Sequence, residues 1–279
     1  MKGKIIKILS NDYTVKLDNG DIIICKARGV FRNKNITPLV GDNVLVDEDK
    51  RLILEIDKRK NELVRPPVSN IDQAIVVTSC IRPDFSSNLL DKMLTIIEFN
   101  NIKPIICFTK YDLLKETKYI DDIIKYYKKI GYEVFINNQI EDLKKIFSDK
   151  VTILTGQTGV GKSTLINKLG NLNLNTNDIS EALGRGKHTT RVVELFEMLN
   201  GLVADTPGFS SLSFIDMSKE DIRDNFIEFN EYRDKCKYSD CMHINEDECE
   251  IKRKIEENII LKERYENYKK FIEEKRQVD

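Results

Sequence analysis

The stretch GQTGVGKST at residues 156–164 constrains the fold more than any other feature of the sequence. It follows the apolar run VTILT and precedes STLINKL, whose apolar spacing is typical of a helix. Between a strand and a helix, glycines at these spacings let successive backbone N–H groups surround a phosphate. The alternative is a chance glycine-rich turn. The phosphate-binding candidates are Gly156, Gln157, Thr158, Gly159, Val160, Gly161, Lys162, Ser163 and Thr164.

Individual roles follow from this pattern and from a second signal, DTPG at residues 205–208. Lys162 is expected to reach the β- and γ-phosphates, where it acts in catalysis, and the Ser163 hydroxyl is expected to ligate Mg²⁺. Asp205 would hold a Mg²⁺-bound water, and the Gly208 N–H would contact the γ-phosphate. DTPG is also a common turn, but its place downstream of a phosphate loop favours the magnesium role.

The stretch FTKYD at residues 108–112 has the form of a guanine-recognition signal at the end of the apolar run KPIICFT. The Asp112 carboxylate would accept hydrogen bonds from guanine N1–H and the 2-amino group, while the Lys110 stem lies along the ring. Adenine offers neither donor in that place, so its binding would leave the carboxylate oxygens unpaired. The alternative is that Asp112 caps the next helix.

Two positions near this signal depart from the usual pattern. Thr109 stands where many GTPases have Asn, so we expect the tie between this signal and the phosphate loop to be missing. Guanine preference should survive through Asp112, with weaker affinity. A second base-contacting signal is expected near VFINNQ, where the sequence offers only Asn137 and Asn138, and neither receives a role here.

The rest of the chain predicts an α/β protein in three parts. Residues 1–65 alternate in short strands and break at turn dipeptides, which indicates an oligonucleotide-binding (OB)-like β-barrel; a sandwich or an SH3-like barrel would share this periodicity. Residues 66–217 alternate strands and helices, which predicts a mostly parallel sheet with helices on both faces. Asn200-Gly201 predicts a hairpin between strands at 191–199 and 201–206. Residues 218–279 are predicted to be helical, with one long helix over 248–277.

Cysteines cluster near the C-terminus of the chain. Cys236, Cys241, His243 and Cys249 lie within fourteen residues and form a four-ligand set suited to tetrahedral Zn²⁺ with no open position. Such a site would be structural, with one Zn²⁺ per chain. Disulfides are the alternative, which a reducing cytosol disfavours. The other three cysteines fall in apolar runs and are expected in the core.

Because the base signal precedes the phosphate loop, the motif order is a cyclic permutation of the usual GTPase order. The barrel, TKYD, GQTGVGKST, GRGKHTTR at 184–191, DTPGF and the cysteine cluster together resemble the RsgA (YjeQ/YloQ) family over nearly the whole chain. The resemblance implies a circularly permuted GTPase with an OB-like barrel and a zinc domain. It also implies GTP hydrolysis, with GTP bound together with Mg²⁺, on the small ribosomal subunit during late maturation.

The same resemblance makes GRGKHTTR the first switch, with Thr190 as a second hydroxyl ligand of Mg²⁺ beside Thr189; the alternative is an exposed basic loop. Phe209 follows DTPG and cannot orient a water, so His188 is the candidate for that catalytic task. His188 alternatively contacts rRNA or solvent.

Composition limits the partners and the location. The net charge is −1, so contacts with rRNA must come from local patches. The N-terminus lacks a signal-peptide pattern and no stretch approaches the length of a membrane span, so we predict a cytoplasmic protein. We also expect it to be a monomer. Two other functions stay open: an rRNA-binding assembly factor whose nucleotide site only gates docking, and an ATP-dependent kinase, which Asp112 disfavours.

Overall fold

The computed structural model describes residues 1–29, 31, 36–64, 66–170, 193–205 and 213–278 of the 279-residue chain. Five N-terminal strands close into a barrel in the order β1-β2-β3-β5-β4. Inward side chains alternate along these strands, and Ile5, Val15 and Ile53 are fully buried at the centre. The predicted barrel is therefore confirmed, and its closure rules out the sandwich. The strands are β1 (Lys2–Leu9), β2 (Asp12–Leu17), β3 (Ile22–Ala27), β4 (Asn43–Asp47) and β5 (Leu52–Ile56).

A two-stranded hairpin joins the barrel to a six-stranded sheet, which has the order β10-β9-β8-β11-β13-β12. Every pairing in the large sheet is parallel except that of β12 with β13. The predicted mostly parallel sheet is confirmed. The hairpin strands are β6 (Glu62–Leu63) and β7 (Val68–Ser69); the sheet strands are β8 (Gln73–Ser79), β9 (Lys103–Thr109), β10 (Glu133–Ile136), β11 (Val151–Thr155), β12 (Phe196–Met198) and β13 (Gly201–Asp205).

Helices cover both faces of this sheet, because neighbouring residues on each buried strand point to opposite sides. Val76 packs in one apolar cluster with Leu94 and Tyr127, whereas Val77 packs in another with Leu154 and Ile166. The helices of this part are α1 (Ser87–Phe99), α2 (Lys118–Lys129), α3 (Ile140–Lys144) and α4 (Lys162–Gly170).

The hairpin between β12 and β13 is confirmed, although the first strand is shorter than predicted. The turn lies one residue earlier than predicted: its loop residues are Leu199 and Asn200, both with positive φ (53° and 57°), as the favoured two-residue turn requires. Gly201 instead begins β13, where a Cβ would lie 2.2 Å from Phe147 O. Ahead of β12, the chain leaves the sheet and joins the barrel. The Leu195 N–H donates to Ile6 O at 2.8 Å, and Lys7 Nζ lies 2.7 Å from a Glu194 carboxylate oxygen.

The single long C-terminal helix is wrong. The chain forms α5 (Lys219–Asp224), two short 3-10 helices (Ile227–Glu231 and Arg233–Lys235), α6 (Glu250–Glu256) and α7 (Lys262–Val278). The break between α6 and α7 follows from Asn258, whose φ of 58° ends the helix, and the N–H groups of Ile259 and Ile260 both donate to Lys254 O. Ile260 then enters the core, so burial of an apolar side chain stabilises the bend.

Fully buried ion pairs connect the C-terminal helices to the sheet domain. We call Arg264, Asp91, Glu228, Tyr127 and Asn267 the Arg264 network. Arg264 on α7 donates to both oxygens of Glu228 and to Asp91 on α1, and Asn267 Nδ2 donates to Asp91 Oδ2 at 2.7 Å. The Tyr127 hydroxyl also donates to Asp91. Burial raises the pKa of Asp91, while Arg264 opposes that rise.

Within the described ranges, no helix combines the length and the apolar character that crossing a lipid bilayer requires.

Candidate nucleotide and metal sites

The carboxyl ends of the parallel strands bring the nucleotide motifs to one edge of the sheet. In the register of the sheet, Leu154 pairs with Asp205 and Ser79 pairs with Thr109. The phosphate loop after β11, the base loop after β9 and Asp205 at the end of β13 therefore share this edge. This edge is where open α/β sheets bind ligands.

The phosphate loop leaves β11 with a backbone that only glycine can adopt at its first position. Gly156 has a φ of 146°, and a Cβ there would lie 2.2 Å from Val77 O on the neighbouring strand. The loop then curves around Lys162, whose Nζ donates to Gly156 O at 2.7 Å and to Gln157 O at 2.9 Å. Lys162 also opens α4, which places Ser163 in the first turn of a helix, where N–H groups are free to bind an anion.

The predicted loss of the tie at Thr109 is wrong. The Thr109 hydroxyl donates to Val160 O in the phosphate loop, and it lies 3.2 Å from Thr78 O. Gly161 follows Val160 with a φ of 97°, and a Cβ there would be 3.8 Å from Thr109 Oγ1. The Thr109 hydroxyl thus makes the connection that was expected to be missing without an Asn amide, because the two loops lie close enough for the shorter side chain.

Lys110 makes a second connection between the base loop and the phosphate loop. Its Nζ donates to Gly159 O at 2.8 Å and to the Arg82 carbonyl, and its backbone has a φ of 57°. The ammonium is therefore anchored to the backbone of the phosphate loop. With Thr109, this contact fixes the base loop relative to the phosphate loop.

Asp112 is exposed to solvent at the carboxyl edge of the sheet, in the base loop after β9. Its Oδ1 accepts from Asn137 Nδ2 at 2.5 Å, and the next helix, α2, begins after a different residue, Thr117. Asp112 therefore does not cap α2, as the alternative interpretation required. The pair with Asn137 was not anticipated, but one signal was available: Asn137 directly follows β10, and Asp112 lies three residues after the end of β9, the strand that proves to be its neighbour.

Several predicted site residues lie outside the described residues. They are His188, Thr189, Thr190, Gly208 and Phe209. Asp205 is described, and it is the last residue of strand β13.

The C-terminal candidates come together in a single cluster. The ligand atoms of Cys236, Cys241, His243 and Cys249 all lie within 4.8 Å of one another. Cys236 Sγ lies 3.9 Å from Cys249 Sγ and 3.6 Å from His243 Nδ1, and Cys249 Sγ lies 3.4 Å from His243 Nδ1. A tetrahedral zinc ion with bonds of about 2.3 Å to sulfur and about 2.0 Å to nitrogen requires a sulfur–sulfur distance of about 3.8 Å and a sulfur–nitrogen distance of about 3.5 Å. The donor set and its spacing fit such an ion.

Aromatic hydroxyls from α7 hold the backbone of this cluster. Tyr265 donates to His243 O at 2.7 Å, and Tyr268 donates to Met242 O at 2.6 Å. All six cysteines are free thiols, so the structure contains none of the disulfides considered as the alternative. Burial raises the pKa of Cys241 to about 12 and lowers the pKa of His243 to about 4.

Two family models match the chain. Residues 56–215 match the RsgA GTPase family model, and residues 2–52 match the RsgA N-terminal domain model. A relative from Bacillus cytotoxicus, named small ribosomal subunit biogenesis GTPase RsgA, is 49% identical over 99% of this chain and 98% of its own length. A relative of the same name from Bacillus subtilis is 45% identical, covering 98% and 97%.

Solved structures give the same result. The crystal structure of YloQ, described as a circularly permuted GTPase, superimposes with a TM-score of 0.84 at 38% identity and covers 100% of this chain and 96% of its own. YjeQ from Thermotoga maritima superimposes with a TM-score of 0.85 at 32% identity, covering 98% and 97%. From its motifs, fold and relatives, the chain belongs to the RsgA family of circularly permuted GTPases.

Proposed function

We propose that this protein hydrolyses GTP to GDP and phosphate while bound to the small ribosomal subunit, during late maturation of that subunit. The observation that carries the proposal is the junction of a phosphate loop with a guanine-type base loop through Thr109 and Lys110. The names of the full-length relatives support the choice of the small ribosomal subunit. Contact with rRNA, a cytoplasmic location and a monomeric state belong to the same proposal.

Within this proposal, the backbone of residues 156–164 and the Lys162 ammonium bind the phosphates. Oxygen ligands suit Mg²⁺, and the Ser163 hydroxyl stands in the first turn of α4 beside the phosphate loop. Asp205 and Thr190 are proposed to complete the magnesium site, with Gly208 on the γ-phosphate. The bound cation would neutralise charge on the β- and γ-phosphates.

The Cys236, Cys241, His243 and Cys249 cluster is proposed to hold one structural zinc ion per chain. Three thiolates and one imidazole leave no open position on a four-coordinate ion, which excludes a water ligand and hence a hydrolytic role. The division of the chain into residues 1–65, 66–217 and 218–279 is part of the same proposal, with this zinc unit as the last domain.

Purified small subunits should raise the rate of GTP hydrolysis, and His188→Ala should remove most of that rise. Phe209 offers no donor or acceptor for the attacking water, so His188 is proposed to position it once the subunit orders the first switch. Single-turnover hydrolysis with GTP and subunits saturating should fall on the order of a hundredfold in the variant. An unchanged rate with weaker subunit binding would assign His188 to docking. No stimulation of the wild type would favour a factor whose nucleotide site only gates docking.

Asp112→Asn should weaken GTP binding on the order of a hundredfold, because hydrogen bonds to a charged group contribute roughly 1.5–3 kcal/mol each. The same variant should gain affinity for xanthosine triphosphate, since the new amide can donate to the 2-oxo group of xanthine. Equilibrium binding of both nucleotides measures the exchange. Wild-type GTP affinity in this variant would show that residues 108–112 do not read the base.

A further inference from the structure

An amide from the neighbouring strand end contacts the base-recognition carboxylate. Asn137 Nδ2 lies 2.5 Å from Asp112 Oδ1, although the two residues are separated by 25 positions in sequence. A carboxylate has no proton to donate when ionised, so the nitrogen of the amide must face it. The contact is therefore a hydrogen bond to a charged acceptor, the stronger class of such bonds.

Asn137 is held in this place by the sheet and by its own turn. β10 pairs with β9 in parallel register, with Ile136 beside Phe108, so the residues that follow the two strands emerge side by side. The Gln139 side chain accepts from Ile136 N–H at 3.0 Å, and Gln139 N–H donates to Ile136 O at 2.9 Å. These two bonds close the turn and leave Asn137 half-buried with its amide on Asp112.

Asp112 depends on this partner for its orientation. Its side chain is exposed, and among the described residues Asn137 is its hydrogen-bond partner. Two carboxylate oxygens offer about four acceptor positions. Asn137 uses one of them, so N1–H and the 2-amino group of guanine can still be accepted together. A carboxylate ordered before binding loses less rotational freedom when the base arrives.

We propose that Asn137 is a positioning residue for guanine recognition, which holds the Asp112 carboxylate in the orientation that accepts both guanine N–H donors. This inference rests on the proposed GTP site and adds to it a role for Asn137, which stands where a second base-contacting signal was expected. Asn137 acts through Asp112, and its removal changes how well the site distinguishes purine bases.

The test compares GTP with inosine triphosphate, which keeps N1–H and the 6-oxo group but lacks the 2-amino group. Asn137→Leu should weaken GTP binding roughly tenfold, as expected for loss of a hydrogen bond to a charged group. Inosine triphosphate should lose less, because it makes one bond to Asp112 instead of two. The preference for GTP over inosine triphosphate should therefore shrink severalfold. Equal losses for both nucleotides would overturn the proposal and indicate direct contact of Asn137 with the 6-oxo group.

Two further variants separate positioning from folding. Asn138→Leu is the matched control, since Asn138 is the exposed neighbour and makes no hydrogen bond within the described residues; its nucleotide preference should equal that of the wild type. Asn137→Asp places a carboxylate against Asp112 and should weaken GTP binding more than Asn137→Leu does. If Asn137→Asp binds GTP as the wild type does, the proposal fails.

A double substitution distinguishes failure of this inference from failure of the proposed GTP site. Once Asp112→Asn has removed the carboxylate, adding Asn137→Leu should weaken GTP binding by less than about twofold, because residues in direct contact are not additive. If the effects of the two substitutions on GTP binding free energy are fully additive, the positioning role is overturned. If Asp112→Asn alone leaves GTP affinity unchanged, the assignment of the base site itself is wrong.

Discussion

Replacing Arg264 by alanine should lower the free energy of unfolding by about 3–5 kcal/mol, which is the range for breaking a buried ion pair. Arg264 is fully buried between Asp91 and Glu228, so its removal leaves two carboxylates in an apolar interior without a cation. Desolvation of an unpaired charge outweighs the loss of packing here. Urea unfolding of the full chain, followed by circular dichroism, measures the change.

The loss of unfolding free energy in Arg264→Ala should be largest near neutral pH. Burial raises the folded-state pKa of Asp91, so the folded chain binds this proton more tightly than the unfolded chain does. Stability from that proton is present in acid and is lost as the pH rises. Without the guanidinium the pKa of Asp91 rises further, so the deficit at about pH 7 should exceed that at about pH 5. A deficit independent of pH would contradict this account.

Lys269→Ala on the same helix is the control for the Arg264 substitution. Lys269 pairs with Glu266 at 2.8 Å, but both side chains are about a third or more exposed, at 34% and 41%. Exposed ion pairs contribute about 0–1 kcal/mol, so the control should be nearly as stable as the wild type. Equal losses in the two variants would mean that the Arg264 network adds nothing beyond an ordinary surface pair.

Removing the metal from the cysteine cluster should unfold the C-terminal unit while the nucleotide site persists. Binding of zinc to such sites is coupled to on the order of 10 kcal/mol of folding free energy. Cys241 and Cys249 lie in the same apolar cluster as Phe229 and Tyr268. Loss of the metal ion should therefore expose the apolar core that α7 covers. Purified protein should contain about one zinc ion, as expected for a single four-ligand site. Treatment with a strong chelator should remove the near-ultraviolet signal of the packed aromatic side chains.

Cys249→Ser and Cys25→Ala make a matched pair for this prediction. Both thiols are buried, but Cys25 lies in the barrel and outside the cluster. Cys249→Ser should lose most of the metal and weaken subunit binding, while its GTP affinity should stay within about threefold, because no ligand belongs to a nucleotide motif. Cys25→Ala should keep the metal. Full zinc content in Cys249→Ser would rule out the four-ligand site.

The parts that sequence predicted correctly are those set by local chemistry. The phosphate loop needs glycine spacing, and the cysteine cluster lies within fourteen positions. Each signal is complete within a short window, so periodicity and spacing suffice to find it.

The parts that sequence missed depend on which distant residues meet. Asp91 and Arg264 are 173 positions apart, and nothing in either helix marks them as partners. The Thr109 hydroxyl reaches Val160 only because β9 and the phosphate loop lie on the same edge of the sheet. The break before α7 was missed for another reason: the apolar period continues across Asn258, and tertiary packing of Ile260 decides the bend.

The order of strands in the large sheet determines how the nascent chain can assemble it. β8 is a central strand that pairs with β9 on one side and with β11 on the other. During synthesis, the half-sheet of β8, β9 and β10 is complete once Ile136 has left the ribosome, whereas β11 ends at Thr155. Until then, the second side of β8 is an open edge with unpaired backbone N–H and C=O groups, which invites pairing with other chains. In the permuted order, the half of the sheet that carries the phosphate loop is therefore synthesised second. β11 then pairs with the open edge of the half-sheet that already carries Asp112.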